Sequence, residues 1–177
     1  MTAFDRAFAL LKMPIVPGSF EEDSRGDWEG RFRDPVSDEN LPLIVMQQWS
    51  DGGEPVLAAE IVDEKGIDRA RATAEHIGED DEDRMDAEES QRQHIAEHDW
   101  MDEDHVESYP RNRWEGEGAE TQPDFQQRGY MSAIYDALAT ILSRKHKRDL
   151  FPNALGQTDL GSALWGDKDT WPVRDDL

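Results

Sequence analysis

Apolar residues recur at Met131, Ile134, Tyr135, Leu138, Ile141 and Leu142, the three-and-four spacing of one helical face, and predict a long amphipathic helix after Gly129. Arg144, Lys145, His146, Lys147 and Arg148 mark its end, because cations suit the negative pole of a helix dipole. Leu150-Phe151 reads as a minimal buried strand stopped by Pro152-Asn153. Thr158, an N-cap residue type, with Asp159 in the first turn, opens a second helix carrying Leu160, Leu164 and Trp165.

Upstream, Leu43 to Trp49 and Pro55 to Val62 are apolar runs on either side of Ser50-Asp51-Gly52-Gly53, which predicts a β-hairpin. Ile67 to Ile77 reads as a helix with Ala70, Ala74 and Ile77 inward, ended by Gly78. Val16 to Pro42 is polar and reads as a connection anchored by Phe20, Trp28 and Phe32. Thr2 to Lys12 reads as a short amphipathic helix with Phe4, Phe8 or Ala7, and Leu11 on one side, stopped before Pro14, and is expected either docked on the domain or offered to a partner chain. Glu79 to Glu89 is nearly all acid, and Ser90 to Asp99 has only Ile95 and Ala96 as apolar helix formers, so this stretch is expected to be an exposed helix or an inserted loop. Tyr109 to Pro123 is expected to be an irregular strand leading into the glycine turn. The pattern is that of an α+β domain spanning residues 1–177, a mixed sheet flanked by helices, with an acidic insertion at 79–107.

Charge changes the picture most. Asp and Glu number 41 against 19 Lys and Arg, for a net charge of -22, and only five residues are lysine. Such an excess argues against direct binding to a nucleic-acid backbone or an anionic membrane surface. With six tryptophans and clear apolar helices, it points to a protein kept soluble in molar salt, where the Debye length is about 3 Å, and so to an extreme halophile or its virus. A mimic of DNA and a disordered acidic tail are the competing accounts, the second opposed by Trp100, Tyr109 and Trp114 beside the acid run. There is no cysteine, which excludes disulfides and thiolate chemistry. Neither a membrane span nor a signal peptide is legible, so a virion or host-cytoplasm location is expected rather than a secreted or membrane one.

Candidate chemistry is sparse. His94, Glu97 and His98 have the H-x-x-E-H spacing of inverted zinc proteases, with His105 or a nearby Glu as the third ligand such a site would need. The surrounding helix lacks the apolar face that would hold a rigid, dry site, so a solvated pair is expected and no metal. Glu79 to Asp83 and Asp102 to Asp104 lack the glycine-spaced loop of a calcium site and read as acidic surface holding solvent cations. Tyr130 and Tyr135 are proton donors by type, with Tyr135 on the apolar face and expected in the core.

A glycine turn opening a helix presents free N–H groups to an anion. Gln126-Gln127-Arg128-Gly129-Tyr130-Met131 resembles the Q/R-x-x-G-x-G/A pyrophosphate loop of GNAT-type N-acetyltransferases, and Ser132-Ala133-Ile134-Tyr135-Asp136 resembles the helix that follows it. Thr158-Asp159-Leu160-Gly161 with Leu164-Trp165, and the opening Ala3-Phe4-Asp5-Arg6-Ala7-Phe8, are similar to segments of short GNAT-like proteins common in tailed viruses. The resemblance implies a GNAT-like sheet and acetyl-CoA contacts at Gln126, Arg128, Gly129, Tyr130, Met131 and Ser132, with Asn153 at a polar cofactor-contacting position. Met131 stands where the family usually has Gly or Ala, and twelve residues after Trp165 are too few for the two final strands that help form an acceptor site. The expected function is therefore that of a structural or interaction protein, a virion component with a degenerate acetyl-CoA loop and no cofactor, working with other protein chains in an oligomer or larger assembly. The alternative is an acetyl-CoA-dependent N-acetyltransferase.

Overall fold

A computed structural model describes residues 15–79, 81–96, 109–155 and 159–177, the side chains of 159–161 excepted. The helix expected over Thr2 to Lys12, the residues Glu97, His98 and His105, the acids Asp102 to Asp104 and the Thr158 cap lie outside the described residues.

The fold is α+β, built on a seven-stranded mixed sheet whose spatial order is its chain order. The strands are β1 (Glu21–Glu22), β2 (Trp28–Arg33), β3 (Asn40–Trp49), β4 (Pro55–Val62), β5 (Asp68–Ile77), β6 (Arg113–Thr121) and β7 (Leu150–Pro152). Neighbours are antiparallel except β6 and β7, a parallel pair joined through helix α2 (Tyr130–Ile141). Two further helices are described, α1 (Glu82–Ala96) between β5 and β6 and α3 (Asp159–Trp165) after β7. Among the described residues no helix is long and apolar enough to cross a membrane.

The hairpin forms as expected, with Leu43 opposite Ile61 and Val45 opposite Ala59. Two expectations are corrected. Residues 68–77 are strand β5 and not a helix: Ala70, Ala72 and Ala74 are buried at period two, while Arg71 is exposed and Thr73 and Glu75 are half-buried. Ala72 decides, because it is buried where a helical face through Ala70 and Ala74 would turn it away. Within the expected connection at 16–42, Trp28 to Arg33 is a full strand, its Phe32 side chain completely buried. Gly30 is a glycine because Phe20 lies over it: a Cβ there would meet the Phe20 ring at 2.3 Å.

Helix α2 packs over β4, β5 and β6. The alanines of β5 form a shallow floor for it, and Ala133, Ile134, Ala137 and Leu138 have no exposed surface. Its far side is covered too, by Trp165, Trp171 and Leu177 of the closing segment. The Trp171 amide donates to the Leu150 carbonyl at 2.8 Å, and its indole N–H donates to Asp136 at 2.8 Å. A helix buried on both sides must be apolar nearly all round, as this one is.

Helix α1 is held differently. Its buried stripe is Arg84, Glu88 and Ile95, with Gln91 half-buried between, the spacing of a helical face written almost entirely in polar residues. Arg84 Nη2 donates to Glu115 on β6 at 2.5 Å, and Gln91 donates to the Tyr109 hydroxyl at 3.0 Å. Glu88 accepts from the Tyr109 amide at 3.0 Å and pairs with Arg111 at 2.9 Å.

Candidate functional site

Gly129 holds a left-handed φ of 80°, which lets the chain turn from β6 into α2, and no side chain caps the helix. The first-turn N–H groups therefore lack helical partners. Around them the side chains converge on Asp34, a fully buried carboxylate in the β2–β3 turn. The Tyr130 hydroxyl donates to it at 2.6 Å, the Val36 amide at 2.7 Å, and the Arg128 guanidinium approaches to 3.4 Å. Burial alone would raise the Asp34 carboxyl. The bonds from Tyr130, Val36 and Ser37, with Arg128 beside it, outweigh burial and hold it below the usual range.

Arg69 completes the network: it pairs with Glu39 at 2.7 Å, lies 3.4 Å from the Tyr130 hydroxyl and stacks over Phe125 at 4.7 Å. Arg128 stacks on the same ring at 5.3 Å. Burial pushes Tyr130 up to about 12, with Asp34 reinforcing it, so this hydroxyl stays a donor throughout the neutral range. Met131 is half-buried against the core, Ser132 is half-buried, and Gln126 is exposed with its amide donating to the Thr121 carbonyl at 3.4 Å.

Asn153 does not share this network; its amide donates to Glu117 on β6. Pairing of β6 with β7 ends at Gly116 opposite Pro152, whereas β6 runs on to Thr121. Between Glu117 and Glu120, β6 carries one residue more than β5 opposite, and Gly118 takes a φ of 55°, so the strand bulges. Glu117 stands at this bulge. Burial pushes its carboxyl up to about 7, the nearby Glu75 and Glu115 adding to the rise against the Asn153 bond and Arg84. Beside it Glu115 is fully buried, with Arg84 at 2.5 Å, Arg113 at 2.6 Å and the Ala154 amide at 2.9 Å. On the opposite face of the sheet, Tyr135 fills the space over Gly116, where a Cβ would come within 2.7 Å of its ring.

The structure thus gathers Arg128, Gly129 and Tyr130 in one network and sets Asn153 in another. It adds Asp34 and Glu117, which the sequence reading lacked. The signal for Glu117 was the alternation Glu115-Gly116-Glu117-Gly118, since glycines inside a strand mark a bulge or a close approach. His94 is exposed on α1, and among the described residues no group of three or more His, Asp or Glu side chains is arranged to hold a metal.

Compared with known protein families, with curated proteins and with solved structures, the chain matches none.

Proposed function

We propose that this chain is a GNAT-fold structural or interaction protein, a virion component of a halophilic tailed virus, in which a former acetyl-CoA turn has become an internal brace. The observation that carries the brace is the engagement of Arg128 and Tyr130 by the buried Asp34. A cation spent on a buried carboxylate is not free for a pyrophosphate, and removing one partner of such a pair strands the other. Met131 adds to this by packing against the core where a cofactor loop needs open backbone. In this reading α1 belongs to an acidic insertion in the GNAT core, and the virion role rests on the resemblance of the chain's segments to viral proteins.

Calorimetry with acetyl-CoA in molar salt tests the reading. No heat of binding is expected, and Met131→Gly should destabilise the fold by about 2 kcal/mol, the low end for a lost methionine because the side chain is half-buried. Micromolar binding that disappears in Gly129→Val would overturn it.

The second reading, an acetyl-CoA-dependent N-acetyltransferase, is favoured by Glu117. A carboxyl raised to about 7 beside a bulge, near the carboxyl ends of two parallel strands, fits a proton acceptor from an amine. Acetylation of an amine by the native protein, lost in Glu117→Gln, would establish it.

A further inference from the structure

The densest positive charge in the chain is the turn that ends α2. Arg144, Lys145, Lys147 and Arg148 supply four of the 19 lysines and arginines within five residues of a chain with net charge -22. All four are exposed. The helix widens into a π turn over Leu142–His146 and closes at Lys147 with a φ of 55°. Lys145 pairs with Glu22 at 2.7 Å, Arg144 donates to the Leu177 carbonyl, and Lys147 donates to the Arg144 carbonyl at 3.1 Å. Arg148 has no side-chain partner among the described residues.

The complement lies on α1. Opposite its buried stripe Glu82, Asp86 and Glu89 are exposed, as is Asp83 on the flank, with Arg92 as the neighbouring cation at 3.7 Å from Glu89. Strand register relates the two patches. Ile77 is opposite Arg113 and Trp114 is opposite Leu150, so the strand that leads into α1 and the strand that follows the basic turn meet at one end of the sheet. Gly116 faces Tyr135 of α2, whereas its neighbour Glu115 meets Arg84 of α1, so α1 and α2 lie on opposite faces. One copy cannot bring its own turn onto its own acidic stripe through the sheet between them. Two copies stacked face on face can.

We infer that the basic turn docks on the acidic stripe of α1 in a second copy of this chain. Because the two surfaces differ, the contact is head-to-tail and leaves a free turn and a free stripe at the ends, so it propagates into stacks. In molar salt a Debye length of about 3 Å removes the repulsion between whole molecules and weakens the exposed pairs as well, so the contact should loosen further as salt is raised. This inference rests on the structural-protein reading above.

Sedimentation velocity in molar potassium chloride tests it. The native chain should associate in a concentration-dependent series. Lys147→Glu with Arg148→Glu should weaken association about tenfold or more while circular dichroism stays unchanged, and Glu82→Lys with Asp86→Lys and Glu89→Lys should do the same. Mixing the two variants should restore association, since each then meets a surface of opposite sign. If charge reversal unfolds the turn, Lys147→Gln with Arg148→Gln keeps the fold and should still weaken association. A native chain that stays monomeric, an association indifferent to the turn, or variants that fail to rescue each other would overturn the inference. Any of these without acetyl-CoA binding leaves the functional reading in place.

Discussion

Glu117 favours its neutral form in the folded chain, with its carboxyl at about 7 against an ordinary 4.5. Its folded value is raised, so the stability it contributes is fully present below about 4.5 and is lost as pH rises through about 7. Asp34 and Glu88 are lowered and work in the opposite sense, losing their contribution only as acid protonates them. Glu117→Gln keeps an oxygen to accept from Asn153 and removes the ionisation. Its melting temperature should exceed that of the native chain at about pH 8 and match it near pH 4, so thermal scans across that window check the assignment. Gly129 and Tyr130 were legible as a turn because the turn is local. Asp34 and Glu117 were not, because their character comes from partners far along the chain, Tyr130 for one and Glu75 for the other.

At the level of elements, the hairpin, α2 and β7 could be read because their apolar patterns are strong and their boundaries are marked by Gly52-Gly53, Gly129 and Pro152. Strand β5 could not, since alanine favours helices and the tertiary setting overrode that preference by placing α2 over Ala70, Ala72 and Ala74. Helix α1 was legible as helix-forming only from Ser90 on, with helix and inserted loop both left open, and not as docked, because a face made of Arg84, Glu88 and Gln91 carries no hydrophobic signal. That face predicts how the helix fails. Glu115→Leu would take from Arg84, only 1% exposed, its buried carboxylate and leave it Asp81 at 3.7 Å, and should cost about 3 kcal/mol in urea unfolding. Hydrogen exchange should show α1 losing protection ahead of α2. Equal protection in both helices would mean that α1 is held by something other than its ion pair.

For the molecule as a whole, seven strands and a doubly covered helix carry a net charge of -22. Dialysis from molar salt to low ionic strength without divalent ions should lower the melting temperature and the circular dichroism signal, as self-repulsion regains a range of about 10 Å or more. An unchanged melt would refute adaptation to salt. The sheet order, equal to the chain order, has a separate consequence in time. Strands β2 to β5 each pair with the one immediately before through a short connection, so that part of the meander can grow by local steps with little loop entropy to overcome, whereas β6 joins it only across the long segment that holds α1. The core is not sealed by that growth: the Gly18 amide waits for the Asp176 carbonyl at 3.0 Å, and Leu150 waits for Trp171. Folding should therefore pass through an open sheet whose alanine floor awaits α2, and the slow step should be the arrival of the distant tryptophans over the far side of that helix.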